Sequence, residues 1–205
     1  MRTDLGLAGA LLSTGGVIVM VAAGLPQLYP VWTSRGLEAL TLIGQHRGVW
    51  TLANTMFAIG AVLTLAGLGA LVPVFDRPGS AAAVGGVTLV AVASTLWLAN
   101  LAFRLAVTGP VAGTVAGGGP VPTWYEPVSA WTAALWSTAA LTGALGTIGY
   151  GLALTGAGTL PGWTGWSAVV IGAVMLVLFL LTRDVPPFLL YVAPTIVGVT
   201  ALCRA

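Results

Sequence analysis

Residues 48–75 read GVWTLANTMFAIGAVLTLAGLGALVPVF, a run without one Asp, Glu, Lys, Arg or His. About 20 consecutive apolar residues carry a helix across the hydrocarbon core of a bilayer, and this stretch exceeds that length. Comparable runs flank it, and working outward places further spans at roughly 5–25, 80–107, 127–155, 164–182 and 188–203. The predicted fold is therefore all-α: a polytopic integral membrane helix bundle of about six transmembrane helices, forming one domain over residues 1–205. The first span follows Arg2 and is as long as a full crossing, which favours an uncleaved anchor over a signal peptide. The last is short and contains Pro194, so a kink is expected there.

Composition agrees with lipid as the main solvent. Of 205 residues, 58% are hydrophobic and 6% charged, and the mean hydropathy is +1.01. Soluble domains carry about a quarter charged residues. The net charge of +2 and the absence of basic runs argue against a nucleic-acid partner. The chain has no Lys, which excludes Schiff-base chemistry and a phosphate-loop Lys. With one Cys, Cys203, and one His, His46, neither an intrachain disulfide nor a multi-histidine metal site is available, and no metal or cofactor is expected.

Between the spans, Asp76-Arg77-Pro78-Gly79 and Thr159-Leu160-Pro161-Gly162 read as tight turns. Spans 2 and 3 are thus expected to pair as one antiparallel hairpin, and spans 4 and 5 as a second. Each hairpin begins with Trp-Thr, at Trp50 and Trp131, and closes on Arg104 or Arg183, a weak parallel repeat. Two connections are longer. Residues 26–47 hold Trp32, Arg35, Glu38 and a Leu37/Leu40/Ile43 stripe, which suggests an interfacial helix. The Gly/Pro-rich residues 108–123 suggest a mobile flap. Ala139, Gly143, Thr147 and Gly151 form a small-residue groove on span 4, and Ala81 with Gly85 offers another on span 3.

Threading the chain back and forth puts both termini on one side, with Arg2, Asp4, Asp76, Arg77 and Arg204. The other side is richer, holding Arg35, Glu38, His46, Arg47, Arg104, Glu126, Arg183 and Asp184. Toward that side Trp50, Asn54 and Phe57 share one face of span 2, and Trp97, Asn100 and Arg104 one face of span 3. Trp124-Tyr125-Glu126-Pro127 opens span 4 there, with Trp131 and Trp136 following, and Arg183-Asp184 precedes Tyr191. Trp32, Trp124, Trp163 and Trp166 fall at interfaces as an aromatic belt, whereas Trp50, Trp97, Trp131 and Trp136 are placed for an interior face. Each residue has a bland reading as well: a solvated Arg183–Asp184 pair, arginines snorkelling to headgroups, asparagines joining helices, and His46 as an interfacial cap. Taken together, the residues suggest a lipid-facing cavity.

Such a cavity suits a greasy substrate with one reactive end. Carboxylic acids serve as Brønsted acids, and aromatic faces stabilise a developing cation without quenching it. In size, helix count and its aromatic-plus-carboxylate end, the chain resembles the small integral-membrane terpene cyclases of fungi and actinobacteria. That resemblance implies metal-independent protonation of a terminal alkene or epoxide of a prenylated substrate, ring closure, and loss of a proton. It makes Asp184 and Glu126 the candidate acids and Glu38 or His46 the proton acceptors. The remaining cluster (Trp50, Asn54, Phe57, Trp97, Asn100, Arg104, Trp124, Tyr125, Trp131, Arg183 and Tyr191) would bind substrate. The Ala/Gly/Arg-rich, Lys-free composition points to an actinobacterial cytoplasmic membrane, where membrane lipids and a lipophilic small molecule are the expected partners. A transporter or a non-catalytic scaffold subunit are the competing classes. Carboxylates facing an apolar cavity favour an enzyme, a through-going path favours transport, and a solid core favours a scaffold.

Overall fold

The computed structural model describes residues 2–74 and 80–205, so the Asp76-Arg77-Pro78-Gly79 turn lies outside the described residues. In chain order the helices are α1 (Arg2–Ala23), α2 (Tyr29–Thr33), α3 (Gly36–Gln45), α4 (Arg47–Leu71), α5 (Ser80–Phe103), α6 (Gly109–Ala116), α7 (Tyr125–Ala157), α8 (Gly162–Thr182) and α9 (Leu189–Leu202). A π turn, Arg104–Thr108, fuses α5 to α6. No strand occurs among the described residues.

Four segments are long and apolar enough to cross a membrane: Asp4–Ala23, Arg47–Leu71, Ala81–Ala116 and Gly162–Thr182. The sequence count of about six rests on two helices outside this set. α7 has 33 residues, about 50 Å of helix, but its apolar run is diluted by Gly, Thr and Ser. α9 is strongly apolar but has 14 residues, about 21 Å, with Pro194 inside it.

Side-by-side packing follows the glycines. α1 lies against α4 and α9, and α7 lies between α5 and α8. A Cβ on Gly60 would run into Val19 and the Gly15 carbonyl, and one on Gly198 would sit 2.7 Å from Leu12 Cβ and Ser13 N. These contacts require bare backbones at the crossings. The α7–α8 hairpin forms as its turn predicts: Gly158 ends α7 in the left-handed region (φ 69°) and Pro161 sets up the start of α8. The other expected hairpin differs. α4 and α5 touch, but α4 packs chiefly on α1 and α5 chiefly on α7. The repeat also lacks a spatial counterpart, since Trp50 is buried whereas Trp131 is 61% exposed.

Two further expectations are corrected. Residues 108–123 are no flap in their first half. α6 continues α5 as one segment and docks on α3, where Gly44 meets the Ala112 backbone and Ala116 Cβ. The Gly/Pro-rich composition suggests a mobile flap, but Pro110 lies in the first turn of α6, where a missing N–H costs little. On α5, Gly85 has open space beside it. Its neighbour Gly86 makes the close approach, against the backbone of Tyr150.

The apolar core falls into two clusters. One, around Leu12, Leu68, Leu154 and Val197, lies toward the chain termini. The other, around Phe57, Trp97, Trp136 and Tyr191, forms the floor of a cavity at the opposite end.

Candidate functional site: an amphipathic cavity at one end of the bundle

Alternating helix polarity gathers this end. The last turns of α1, α5 and α8 meet the first turns of α4 and α7 there, and α2 with α3 folds back across them. Gly36 makes that fold possible, because its left-handed backbone (φ 58°) lets α3 begin right after α2. Two contiguous compartments of about 530 Å³ each result, sharing Trp32, Trp50, Arg104, Trp136 and Asp184. The first is polar, with Arg35, Arg183 and the hydroxyls of Ser129, Thr132 and Ser137. The second is apolar, with Val31, Ile43, Phe57, Pro187 and Phe188. An adjoining cavity of about 810 Å³ opens past Tyr125 to Glu126.

Arg104 stands at the junction. Its guanidinium carbon lies 5.0 Å from the Trp97 ring centroid and 5.8 Å from that of Trp50. Each such contact contributes roughly 0.5–2 kcal/mol. The π turn begins at this residue, and the Arg104 carbonyl accepts both the Gly109 N–H and, at 3.2 Å, the Trp50 indole N–H. Single wide turns of this kind concentrate at functional sites. Here the turn ties α4 to α5 beneath the guanidinium.

Asp184 is held from two directions. Its Oδ1 accepts the Val185 backbone N–H at 2.8 Å and the Trp136 indole N–H at 3.3 Å. Val185 is fully buried, and Pro186-Pro187 follow it, so the junction between α8 and α9 has little freedom. Oδ2 is left for a ligand or solvent. Arg104 and Asp184 attract one another across the cavity they both line.

The floor is aromatic. Trp97 has no exposed surface and packs on Trp136, centroids 4.5 Å apart, and edge-on to Phe57 at 5.9 Å. Beyond Trp97 lies a void of about 20 Å³ bordered by Tyr191 and Thr64, room for one water. On the wall, Trp32 tilts over Trp50 at 5.8 Å, and Tyr125 stacks on Phe103 at 6.0 Å while its hydroxyl donates to Thr108 Oγ1 at 3.4 Å.

The residues singled out in the sequence are thus distributed unevenly. Asp184, Trp50, Phe57, Asn100, Arg104, Tyr125 and Arg183 line the two compartments. Glu126 is exposed and lines the adjoining cavity. Trp97 and Tyr191 lie beneath, around the small void. Asn54 is fully buried and donates to the Trp50 carbonyl of its own helix, and Asn100 donates across to the Thr132 carbonyl, both at 2.8 Å. Glu38 is exposed in the first turn of α3 and His46 is the half-buried joint between α3 and α4, and the cavity linings include neither. Trp124 is 52% exposed and touches the site through the edge of Tyr125. Trp131 points outward, contrary to its expected interior placement.

Trp32 and Arg35 went unassigned to the site because their segment reads as interfacial. The Gly36 corner after Pro30 was the available signal that it folds inward. Fold and site together define a class: a protein helical throughout its described residues, with four helical segments long and apolar enough to cross a membrane and an amphipathic cavity open at one end of the bundle. No family model, curated protein or solved structure matches the chain.

Proposed function

We propose that this protein is a six-pass enzyme of a bacterial cytoplasmic membrane that cyclises a prenylated, terpenoid-type substrate by proton transfer. One observation carries the proposal: the exposed Asp184 lines both the polar and the apolar compartment, its Oδ1 accepting two N–H groups while Oδ2 accepts none from the protein. In the proposed step the Asp184 carboxylic acid gives its proton to a terminal alkene carbon or epoxide oxygen. The carboxyl O–H bond breaks as the alkene π pair forms the new C–H bond, or as the epoxide oxygen takes the proton and its C–O bond opens, and an internal double bond supplies the electron pair that closes the ring on the carbon left electron-deficient. The resulting cation then loses a proton to the Asp184 carboxylate or to Glu126, so product and substrate are isomers. Trp32, Trp50 and Trp136 offer π faces to the passing cation and no nucleophile. The floor of Trp97, Phe57 and Trp136 supports this reading over a transport path, since those rings fill the bundle below the cavity.

The test is direct. Membranes containing the protein are incubated with farnesylated and geranylgeranylated small molecules, with and without terminal epoxides, and products are resolved by LC-MS. A new peak of unchanged mass that vanishes with Asp184→Asn is expected. No conversion by folded protein across that panel overturns the enzyme reading.

A further inference from the structure

The polar compartment holds more positive charge than proton transfer uses. Arg35 from the start of α3, Arg104 from the π turn and Arg183 from the end of α8 all line it, against the single carboxylate of Asp184. Three of the chain's seven cationic side chains thus converge on one cavity from separate elements. Two of the three sit under constraint. Arg104 is held between tryptophan rings, and Arg183 is the one non-glycine residue with positive φ among the described residues, at 58°. A left-handed backbone is costly for a side chain bearing a Cβ and persists where the surroundings demand it. The other polar lining includes hydroxyls; Thr132, Ser137, Thr182 and Tyr125 donate within the protein, which leaves Ser34, Thr108 and Ser129 to donate to an oxyanion. The adjoining apolar compartment adds no charge beyond the shared Arg104 and Asp184.

We propose that the ligand of this cavity is a single-chain amphiphile with an oxyanion head, a phosphate or carboxylate, held by Arg35, Arg104 and Arg183, its chain lying in the apolar compartment. This inference rests on the same site as the proposed function and specifies its substrate: an acidic head fixes one end of the chain while the folded remainder returns to Asp184 at the junction. Guanidiniums suit such heads because their planar N–H pairs match two oxygens at once.

The experiment follows intrinsic tryptophan fluorescence of the purified protein in neutral maltoside micelles, since Trp32, Trp50 and Trp136 line the cavity. The probes are farnesyl phosphate, farnesol, inorganic phosphate and phosphatidylglycerol. Farnesyl phosphate is expected to bind roughly tenfold or more tightly than farnesol, as charge-assisted hydrogen bonds predict. Inorganic phosphate alone should not displace it, and two-chain phosphatidylglycerol should compete weakly. The variants Arg35→Gln and Arg183→Gln, both on exposed residues that do not hold the core, should each weaken farnesyl phosphate several-fold and leave farnesol unchanged. Equal affinity for the two farnesyl probes, or indifference to both variants, overturns the proposal. Competition by inorganic phosphate or phosphatidylglycerol as strong as by farnesyl phosphate also overturns it, in favour of a free-anion or bilayer-lipid site. Turnover is scored separately. Selective binding without conversion removes the cyclase and keeps the acidic head, whereas conversion of neutral prenyl compounds without head selectivity does the reverse.

Discussion

At Arg183 the backbone and the side chain want different residues. The position caps α8 in the left-handed region, where glycine is the usual occupant, yet it carries a guanidinium on the cavity rim. Arg183→Gly should therefore stabilise the fold by about 1 kcal/mol. A thermal unfolding midpoint in detergent that fails to rise speaks against strain at this residue. Trp136→Phe asks a complementary question, because it keeps a ring on Trp97 while removing the N–H that Asp184 accepts. It should cost stability only about 1 kcal/mol, whereas the activity assigned to Asp184 should fall well beyond that; equal small losses in both would mean that the carboxylate's orientation is unimportant. The same residue shows what the sequence could and could not convey. Thr132, Trp136, Ala139 and Gly143 follow one another at helical spacing and are all buried. Trp131, eight residues before Ala139, drifts about 80° off that face at 3.6 residues per turn. Trp131 and Trp136 are both expected on an interior face, but five residues of helix set them about 140° apart, so only one of them, Trp136, faces inward.

Among the elements, adjacent glycines on α5 separate two roles that composition merges. Gly86 leaves no room for a side chain, its Cβ position lying 2.9 Å from Tyr150 Cα, while Gly85 has nothing within 4 Å. Gly86→Ala should prise α5 from α7 and destabilise by roughly 1–3 kcal/mol. Gly85→Ala should stabilise by roughly 0.5–1 kcal/mol through helix propensity alone. Unfolding of the two variants side by side checks the pair, and similar effects from both would contradict the α5–α7 register. The helices themselves were legible because long uncharged runs leave few alternatives in lipid. Partner choice was less so: a helix apolar on every side does not declare its neighbours, and α4 turned out to favour α1 over α5. The α5–α6 junction misled for a different reason. Gly109-Pro110 is a breaker by its residues, but the π turn at Arg104–Thr108 shifts the hydrogen-bond register so that Pro110 falls in a first turn and the helix runs on.

For the whole molecule the arrangement of helix ends fixes most of the threading. α8 is long and apolar enough to cross a membrane and ends at the cavity, so its start at Gly162 lies on the far side. α7 begins at the cavity with Tyr125 and ends a short turn before α8, so it runs from the cavity end of the bundle to the far end, and a crossing by it is part of the proposed six-pass reading. α9 runs back beside α1, so that a Cβ on Gly6 would lie 3.3 Å from Ala205 Cβ and the C-terminus sits at the end of the bundle where α1 starts. α9 leaves the cavity at Phe188, and its 14 residues reach about 21 Å, short of the roughly 30 Å of a hydrocarbon core, so a full crossing needs local thinning of the bilayer or help from the flanking chain. The exposed Cys203 just after it reports the answer. In intact cells a membrane-impermeant maleimide should distinguish native Cys203 from Thr123→Cys in a Cys203→Ser background, Thr123 being exposed in the loop before α7. With α9 crossing, the two cysteines lie on opposite faces, so one labels in intact cells and the other only after permeabilisation. If both label under the same condition, Cys203 lies on the cavity side, which contradicts both the packing of α9 along α1 and the six-pass reading.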